Sequence, residues 1–280
     1  HTGKLGRALY EVFQTDYEVI GLNTDDFDAS YIDQTSDILQ RYKPDIVFNA
    51  VAYLGIDPCE NNPALAVKLN CLHPGVLAEL SNKLNFVLVH VSTDAVFNDE
   101  KRDVYVESDL PNPVNHYGMT KYAGDRFVEA VSMGYYILRI PVLFGPSGTT
   151  GQFVEKMLDR MREPSDSIKV SNDIISSPTY SFDVAKVALE LIDQNQPFGL
   201  YHVANQGVAS LYDLMSEIAS ELKLKGGIEK ASFHDFPFVG KKNTYTPLAT
   251  EKHDSLRPWK EAVSDYCRKL ETIECVSNLK

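Results

Sequence analysis

The segment Asp45–Ala50, with the sequence DIVFNA, is a short and nearly continuous apolar run that follows Pro44. Runs of this kind form strands that are buried on both faces of a parallel sheet. The runs Phe86–Val91 and Tyr136–Arg139 repeat the pattern, and segments of helical periodicity separate the three runs. Strands that alternate with helices are typical of βαβ units. We therefore predict an α/β protein with a Rossmann-type, doubly wound parallel sheet.

The rest of the chain predicts further elements around this sheet. A strand is expected at Glu18–Leu22, and helices are expected at 7–13, 35–42, 63–84 and 117–132. After Gly145 the pattern becomes less regular, which predicts a smaller lobe interleaved with the first half. There we expect a loop over 146–151, helices over 152–162, 181–192, 210–224 and 258–270, and strands over 168–170 and 200–204.

The composition is that of an ordinary globular protein: 280 residues, of which 44% are hydrophobic and 24% charged. The net charge of −12 argues against nucleic acid or an anionic membrane surface as a partner. No apolar stretch approaches the ~20 residues of a membrane span. The four cysteines form no CxxC pair, which favours free thiols in a cytoplasmic setting. The seven histidines form no HxxxH or HxH pattern, so the sequence supports no metal site.

The first six residues, His1–Gly6 (HTGKLG), lead into a predicted helix. They match the last two glycines of a GxxGxxG turn, in which backbone N–H groups at a helix N-terminus bind the pyrophosphate of a dinucleotide. Candidate cofactor-binding residues here are Gly3, Lys4, Leu5 and Gly6. A plain glycine-flanked helix start is the alternative. The complete motif needs a preceding apolar strand, and we expect the native chain to begin roughly ten residues earlier.

Ligands of open α/β proteins bind beyond the carboxyl ends of the strands. Asn23 follows the strand predicted at Glu18–Leu22, with Asp25 and Asp26 just beyond it. An acidic residue there binds the ribose diol of NAD, whereas a basic one favours NADP, and the choice between NAD and NADP stays open. Residues after the next strand would let the backbone approach a flat cofactor, although close packing explains them equally well: Ala50, Val51, Ala52 and Tyr53.

The segment Tyr117-Gly-Met-Thr-Lys121 opens a predicted helix and places a phenol and an ammonium group four residues apart. Positions i and i+4 lie on one face of a helix. A free tyrosine has a pKa near ~10, and a nearby cation lowers it, so the pair is a candidate acid/base. Thr93, just beyond Phe86–Val91, could hydrogen-bond a substrate carbonyl. An ordinary surface pair and a helix cap are the alternatives.

The motifs also occur together in one order, and Thr93 lies 24 residues before Tyr117. In this arrangement the chain resembles the extended short-chain dehydrogenase/reductases, and within them most closely the dTDP-4-dehydrorhamnose reductase family. The resemblance extends over nearly the whole chain. The segments that carry it are Gly3–Gly6, Pro44–Tyr53, Val91–Phe97, Asn112–Lys121, Leu138-Arg139, Ser177–Thr179 and Gly199–Ala204.

The resemblance implies an NAD(P)H-dependent oxidoreductase that reduces a nucleotide-linked 4-keto-6-deoxysugar for cell-surface polysaccharide synthesis, as in dTDP-rhamnose biosynthesis. Tyr117 would donate a proton to the developing alkoxide. Lys121 would hold the nicotinamide ribose and lower the pKa of Tyr117, and Thr93 would hydrogen-bond the same oxygen. Ser92 would join the cofactor site. The implied substrate-binding residues are Thr93, Asp94, Ala95, Val142, Ser177, Pro178 and Thr179.

The resemblance also implies an organisation of the chain. Residues 1–145 would form the NAD(P)-binding domain, and residues 146–280 would form mainly the substrate-binding lobe. Within the second part, residues 181–204 would return to the Rossmann domain. The protein would be a homodimer and would be located in the cytoplasm.

Three positions depart from the family pattern. Ala95 replaces the usual Tyr after Ser-Thr-Asp, and Ile140-Pro141-Val142 replaces the usual Thr-Ser-Trp. Ile174 and Ser176 stand where Gln and Gly are usual. The first two changes remove aromatic surface, which supplies much of the binding area in such pockets. We therefore expect a reductase for a related but different nucleotide sugar.

Two alternatives stay open. One is a nucleotide-sugar epimerase or dehydratase of the same superfamily, which would keep its cofactor tightly bound. The other is a non-catalytic, NADP-binding regulatory subunit that resembles that of methionine adenosyltransferase, which the segment Leu138-Arg139-Ile140-Pro141 favours. The intact Tyr117, Lys121 and Thr93 argue against the second alternative, because a pure binding protein does not need a tuned phenol.

Overall fold

The computed structural model describes residues 1–147, 152–162 and 167–277. From residue 46 to residue 140, strands alternate with helical segments, as the sequence predicts. The strands are β1 Ile46–Asn49, β2 Val87–Thr93, β3 Tyr135–Ile140, β4 Leu143–Phe144, β5 Ile168–Ser171, β6 Ile175–Ser176, β7 Thr179–Tyr180, β8 Gly199–His202, β9 Ala209–Ser210 and β10 Ile228–Ala231. The α-helices are α1 Lys4–Phe13, α2 Ile32–Tyr42, α3 Ile56–Asn61, α4 Pro63–Ala66, α5 His73–Leu84, α6 His116–Val131, α7 Phe153–Arg162, α8 Ser181–Asp193, α9 Leu211–Glu221 and α10 Trp259–Ser277.

The central sheet has the strand order β1-β2-β3-β8, and every pair in it is parallel. Val89 of β2 lies opposite Tyr136 of β3, and Leu138 of β3 lies opposite Tyr201 of β8. Helices cover both faces, since Val89 and Leu138 join a core with α1 and α8, while Leu88 and Ile137 join one with α2, α5 and α6. The predicted doubly wound α/β fold is confirmed.

Two predicted strands differ from the structure. Ile46, Val47 and Phe48 of β1 are half-buried rather than fully buried, because β1 is an edge strand with β2 as its partner in the sheet described. The prediction of a strand at Glu18–Leu22 is wrong for the residues described, where the segment pairs with no strand. A strand is defined by a hydrogen-bonded neighbour. At the end of this segment, the His1 ammonium donates to the Leu22 carbonyl at 2.6 Å.

The single helix predicted over 63–84 is interrupted. Between α4 and α5, residues Val67–Leu72 form a π-helical turn that contains the buried Asn70. Such turns insert one extra residue into a helix and often occur at functional sites. The turn changes which side chains of this helix face the sheet edge.

The second half of the chain forms small sheets against the first. β4 pairs with β7 and β5 with β10 in parallel, and β6 pairs with β9 in antiparallel orientation. β8 joins β3 in the central sheet. Of the predicted 146–151 loop, residues 148–151 lie outside the part of the chain described. The division at residue 145 stays a prediction. Among the helices described, none is long and apolar enough to cross a membrane.

Candidate active site

The start of helix α6 is fixed by one asparagine. Asn115 precedes the helix, and its Oδ1 accepts a hydrogen bond from the Gly118 N–H at 2.9 Å. Its Nδ2 donates to the Lys241 carbonyl at 2.9 Å and to Asn243 Oδ1 at 2.7 Å. A Cβ on Gly118 would come within 2.1 Å of the Ala95 carbonyl oxygen, so only glycine permits this approach. The first turn of α6 is therefore pressed against the end of β2.

This contact brings the three predicted catalytic residues together. Thr93 ends β2 and lies beside Tyr117, which is in the first turn of α6. Lys121, one turn later, donates from Nζ to the Val91 carbonyl oxygen at 2.6 Å. Thr93 and Lys121 are buried, and Tyr117 is half-buried. A phenol, a hydroxyl and an ammonium group thus meet beyond the carboxyl end of a central strand, where open α/β sheets bind ligands.

Burial decides the protonation of this cluster. It raises the pKa of Tyr117 above its ordinary value; the hydrogen bond with Thr93 opposes the rise, and nearby Asp94 adds to it. The Lys121 ammonium donates to the Val91 carbonyl in this structure, and a lowering of the Tyr117 pKa by Lys121 stays a prediction. Burial also lowers the pKa of Lys121 to about 8, against the attraction of Asp125. At neutral pH the phenol keeps its proton and most of the lysine stays charged.

The loop Ala50–Tyr53 follows β1 and is held by a residue that the sequence analysis did not assign. Asn70 Oδ1 accepts from the Tyr53 N–H at 2.8 Å, and Asn70 Nδ2 donates to the Tyr53 carbonyl at 3.1 Å. The same Nδ2 lies 3.2 Å from Thr120 Oγ1 on α6. Asn70 therefore joins the predicted cofactor loop to the helix that carries Tyr117 and Lys121.

The glycine turn begins α1 as predicted, although two of its side chains are used within the protein. Gly3 is the N-cap, no side chain caps the helix, and a Cβ on Gly3 would have nothing within 4 Å. Lys4 is buried, donates to Gln152 Oε1 at 2.5 Å and pairs with Glu155 at 3.0 Å. Leu5 belongs to the core, and Gly6 packs on His1. An open, uncapped N-terminus of a ten-residue helix fits the pyrophosphate of a dinucleotide.

The segment after Leu22 forms a closed turn. Asn23 Oδ1 accepts from the Asp25 N–H at 2.7 Å, and the Asn23 N–H donates to Asp26 Oδ2 at 2.7 Å. Such Asx turns are held by their own side chains. The turn presents carboxylates, which suit ribose hydroxyls, and it fits the adenosine end of a nicotinamide dinucleotide.

Most of the residues predicted to bind substrate are framework residues. The Asp94 carboxylate accepts from Thr246 at 2.7 Å, from Thr93 at 3.1 Å and from Ser176 at 3.4 Å. Ser177 Oγ donates to the Leu248 carbonyl at 3.1 Å, and Thr179 Oγ1 donates to the Ser177 carbonyl at 2.9 Å. The remaining ones are the buried Ala95 and Pro178 and the half-buried Val142, whose N–H lies 3.5 Å from Ser176 Oγ.

The hydroxyl of Ser92, a predicted cofactor-site residue, is bound within the protein. Its Oγ donates to Asp125 Oδ2 at 2.9 Å, within a buried cluster behind the catalytic residues, so the hydroxyl has a partner inside the protein. Successive side chains of a strand point to opposite faces. Thr93, its neighbour, therefore faces Tyr117 while Ser92 faces the interior.

With this geometry in view, comparison with known proteins is decisive for the family. A family model described as the RmlD substrate binding domain matches residues 1–272. The chain belongs to this family. The spore coat polysaccharide biosynthesis protein SpsK of Bacillus subtilis is similar, with 30% identity over 269 residues, which cover 94% of this chain and 93% of SpsK. The methionine adenosyltransferase 2 subunit beta of Xenopus tropicalis is 29% identical over an alignment of 290 positions, which covers 97% of this chain and 80% of that protein.

Solved structures agree with the family. A dTDP-4-dehydrorhamnose reductase from Clostridium acetobutylicum superposes with a TM-score of 0.89 at 30% identity, over 96% of both chains. The dTDP-4-dehydrorhamnose reductase from Bacillus anthracis in complex with NADP also has a TM-score of 0.89, at 28% identity over 96% of both chains. The Rossmann-type architecture of the RmlD family is thereby shown for this chain.

Two further parts of this RmlD-family site were missed by the sequence analysis. The segment after β10 crosses to α3, where Asp57 Oδ1 accepts from the Val239 N–H at 2.9 Å and the Gly240 N–H at 3.3 Å. This brings Lys242 towards Asp94, and burial lowers the pKa of Lys242 against the attraction of Asp94. The second part is Asp125. It could have been found, because Tyr117, Lys121 and Asp125 recur every four residues on one helix face.

Among residues 1–147, 152–162 and 167–277, no group of three or more His, Cys, Asp or Glu side chains is arranged to hold a metal ion. The cysteines described there are free: Cys59, Cys71, Cys267 and Cys275.

Proposed function

We propose that this chain is an NAD(P)H-dependent oxidoreductase that reduces the keto group of a nucleotide-linked 4-keto-6-deoxysugar during synthesis of cell-surface polysaccharide precursors. One observation carries the proposal: the Tyr117 phenol lies beside Thr93 and one turn from Lys121, beyond the carboxyl end of β2. Membership of the RmlD family supports it. So do the names of relatives that are dTDP-4-dehydrorhamnose reductases.

Tyr117 acts as the general acid. Because burial raises its pKa, the phenol is protonated at neutral pH and has a proton to give. It donates that proton to the keto oxygen as the carbonyl becomes an alcohol, and Thr93 steadies the same oxygen by a hydrogen bond. Acid catalysis of this kind contributes about 10²–10⁴ in rate. Bound NAD(P)H supplies the hydride to the carbonyl carbon.

Lys121 and the glycine turn hold the cofactor. The uncapped N-terminus of α1 binds the pyrophosphate through the backbone of Gly3 to Gly6. The charged Lys121 binds the nicotinamide ribose and attracts the phenolate left after proton transfer. The loop Ala50–Tyr53 carries the cofactor's adenosine half. NAD and NADP are both candidate cofactors. The Asn23–Asp26 turn presents carboxylates and no arginine or lysine, which favours NAD slightly.

The substrate is a nucleotide sugar other than dTDP-4-dehydrorhamnose. Ala95 is buried under Gly118, and Ile140 is also buried, so neither supplies the aromatic surface usual at these positions. The idea fails if the purified protein turns over dTDP-4-dehydrorhamnose as well as typical reductases of the family do.

The test uses purified protein, NADH or NADPH deuterated at C4, and a panel of nucleotide 4-keto-6-deoxysugars. We expect one sugar to yield a 4-hydroxy product that carries one deuterium at C4, detected by mass spectrometry and NMR. Retention of both cofactors without any labelled product would contradict the proposal and favour the regulatory alternative. A tightly bound nicotinamide present after purification would favour the epimerase or dehydratase alternative.

We also propose that the protein works in the cytoplasm as a homodimer. The free cysteines described above support a reducing compartment. Exposed apolar side chains on the packed helices α4–α5 and α6 support self-association: Val67, Leu72, Met119 and Phe127. Light scattering after gel filtration tests the dimer, and a monomer mass at micromolar concentration would contradict it.

A further inference from the structure

A buried cluster of charged and polar side chains lies behind the catalytic residues. Asp125, on α6 one turn after Lys121, has no exposed surface. Its Oδ2 accepts from Ser92 Oγ at 2.9 Å and from Arg139 Nε at 3.2 Å, and a second Arg139 nitrogen lies 3.2 Å away. Asp125 Oδ1 is buried and has no hydrogen-bond partner in the part of the chain described. Burying such charges is costly unless they are paired and hydrogen-bonded.

The cluster continues as far as the predicted cofactor loop. His90 Nε2 lies 3.6 Å from Asp125 Oδ1, and His90 Nδ1 lies 3.1 Å from Asn49 Nδ2. Since an amide NH₂ can only donate, Nδ1 accepts and the ring proton is on Nε2, facing Asp125. Asn49 Oδ1 accepts from the Val51 N–H at 3.2 Å. A polar chain therefore runs from the carboxylate on α6 to the loop Ala50–Tyr53.

The charges that surround Lys121 leave one carboxylate to balance it. On α5, burial and, to a smaller extent, the nearby Lys121 together lower the pKa of His73 to about 4. On β2, burial lowers the pKa of His90 well below its ordinary value, with Lys121 and His73 adding to the effect. Both rings are thus neutral at pH 7. Arg139 on β3 adds a second cation, and Asp125 attracts Lys121.

We propose that Asp125 is a positioning residue for Lys121, holding its ammonium group charged and fixing helix α6 against the cofactor loop through Arg139, His90 and Asn49. The inference rests on the proposed role of Lys121 at the cofactor ribose. The alternative is that Asp125 only neutralises the charge of Arg139. The two differ in one respect: only the positioning role makes the charge of Lys121, and so the pH dependence of cofactor binding, depend on Asp125.

The test measures the dissociation constant of NADH by fluorescence between about pH 6 and about pH 9. In the wild type we expect affinity to fall as Lys121 loses its proton near pH 8. In Asp125→Asn, loss of the attraction moves this fall to lower pH by about one unit, so NADH binds about fivefold more weakly at pH 8 and nearly normally at pH 6. Asp125→Glu, which keeps the charge, retains the wild-type profile.

A matched control lies one turn further along the same helix. Glu129 pairs with the exposed Arg126, and Glu129→Gln leaves the profile unchanged. If NADH binding by Asp125→Asn is weakened equally at pH 6 and pH 8, or if its pH dependence is unchanged, the proposal is overturned, and Asp125 only neutralises Arg139. If Asp125→Asn does not fold, because Arg139 is left buried and unpaired, the double variant Asp125→Asn with Arg139→Gln carries the same test.

The readout separates this inference from the proposed function. NADH binding does not require the correct sugar, so a wild type that binds NADH but reduces no sugar would defeat the proposed function alone. The pH profile of Asp125→Asn would still decide the role of Asp125.

Discussion

The side-chain amide of Asn70 hydrogen-bonds both backbone groups of Tyr53: its oxygen accepts from the N–H at 2.8 Å, and its nitrogen donates to the carbonyl at 3.1 Å. Asn70 lies in a π-helical turn, and its amide nitrogen also donates to the Thr120 hydroxyl on α6. One buried asparagine thereby sets the spacing between the cofactor loop and the catalytic helix. A site assembled from two separate elements needs such a connection, because a shift of about 1 Å can cost about 10² in rate.

Replacement of Asn70 should therefore damage both stability and cofactor binding. Asn70→Ala leaves the Tyr53 N–H and carbonyl without their partner, and we expect a loss of about 1–3 kcal/mol in the free energy of unfolding. NADH should also bind more weakly. Urea unfolding and fluorescence titration measure the two effects. Asn82→Ala is the control, since Asn82 is an exposed asparagine that bonds to Val131 and Met133. Unchanged NADH affinity in Asn70→Ala would show that the loop does not touch the cofactor.

Acid should destabilise the protein through buried histidines. Burial lowers the pKa of His73 and of His202 to about 4. Between pH 6.5 and pH 4 the unfolded chain binds protons that the folded chain does not, so stability is complete above pH 6.5 and falls as the pH drops. Each histidine contributes about 3 kcal/mol to that loss.

The variant His202→Gln isolates one of these contributions. We expect the slope of unfolding free energy against pH, between pH 6.5 and pH 4, to decrease by about 1.4 kcal/mol per pH unit relative to the wild type. His234→Gln, at an exposed position, is the control. Urea unfolding at several pH values gives the slopes, and identical slopes in His202→Gln and the wild type would refute the assignment.

Lys4 should matter for stability and not for the cofactor. It lies in the glycine turn, yet its ammonium pairs with Glu155 at 3.0 Å and is almost fully buried. Glu155→Gln leaves that cation without its counter-charge, and we expect a cost of about 3 kcal/mol. The double variant Lys4→Met with Glu155→Gln should recover most of it. Weaker NADH binding in Lys4→Met alone, measured by titration, would return Lys4 to the cofactor site.

The sequence predicted the architecture well because burial and periodicity are local signals. The segments DIVFNA and FVLVHV are more apolar than exposed segments usually are, and they contribute β1 and β2 to the parallel sheet. The strand predicted at Glu18–Leu22 shows the limit of this reasoning. Its composition suits a strand, but a strand exists only beside a partner, and no partner for it is among the residues described.

That Tyr117 and Lys121 share one helix face was predictable, because positions i and i+4 of a helix lie together. The connections among the site residues were not. Asn70 meets Tyr53 across 17 positions, and Ser176 meets Asp94 across 82. The pKa of Tyr117 was also beyond reach, since its direction depends on how deeply the phenol is buried. Sequence spacing identifies which groups can meet, whereas packing decides their charge.

The most direct test of the account is the turnover number of Tyr117→Phe beside that of the wild type, with saturating cofactor and the sugar identified by the deuterium assay. Phenylalanine keeps the ring and removes the proton, so we expect a loss of about 10²–10⁴ in turnover with NADH affinity unchanged. Tyr122→Phe, on the same helix but not on the same face, should retain full activity. Wild-type turnover in Tyr117→Phe would contradict the assignment of Tyr117 as the general acid and, with it, the proposed mechanism of keto reduction.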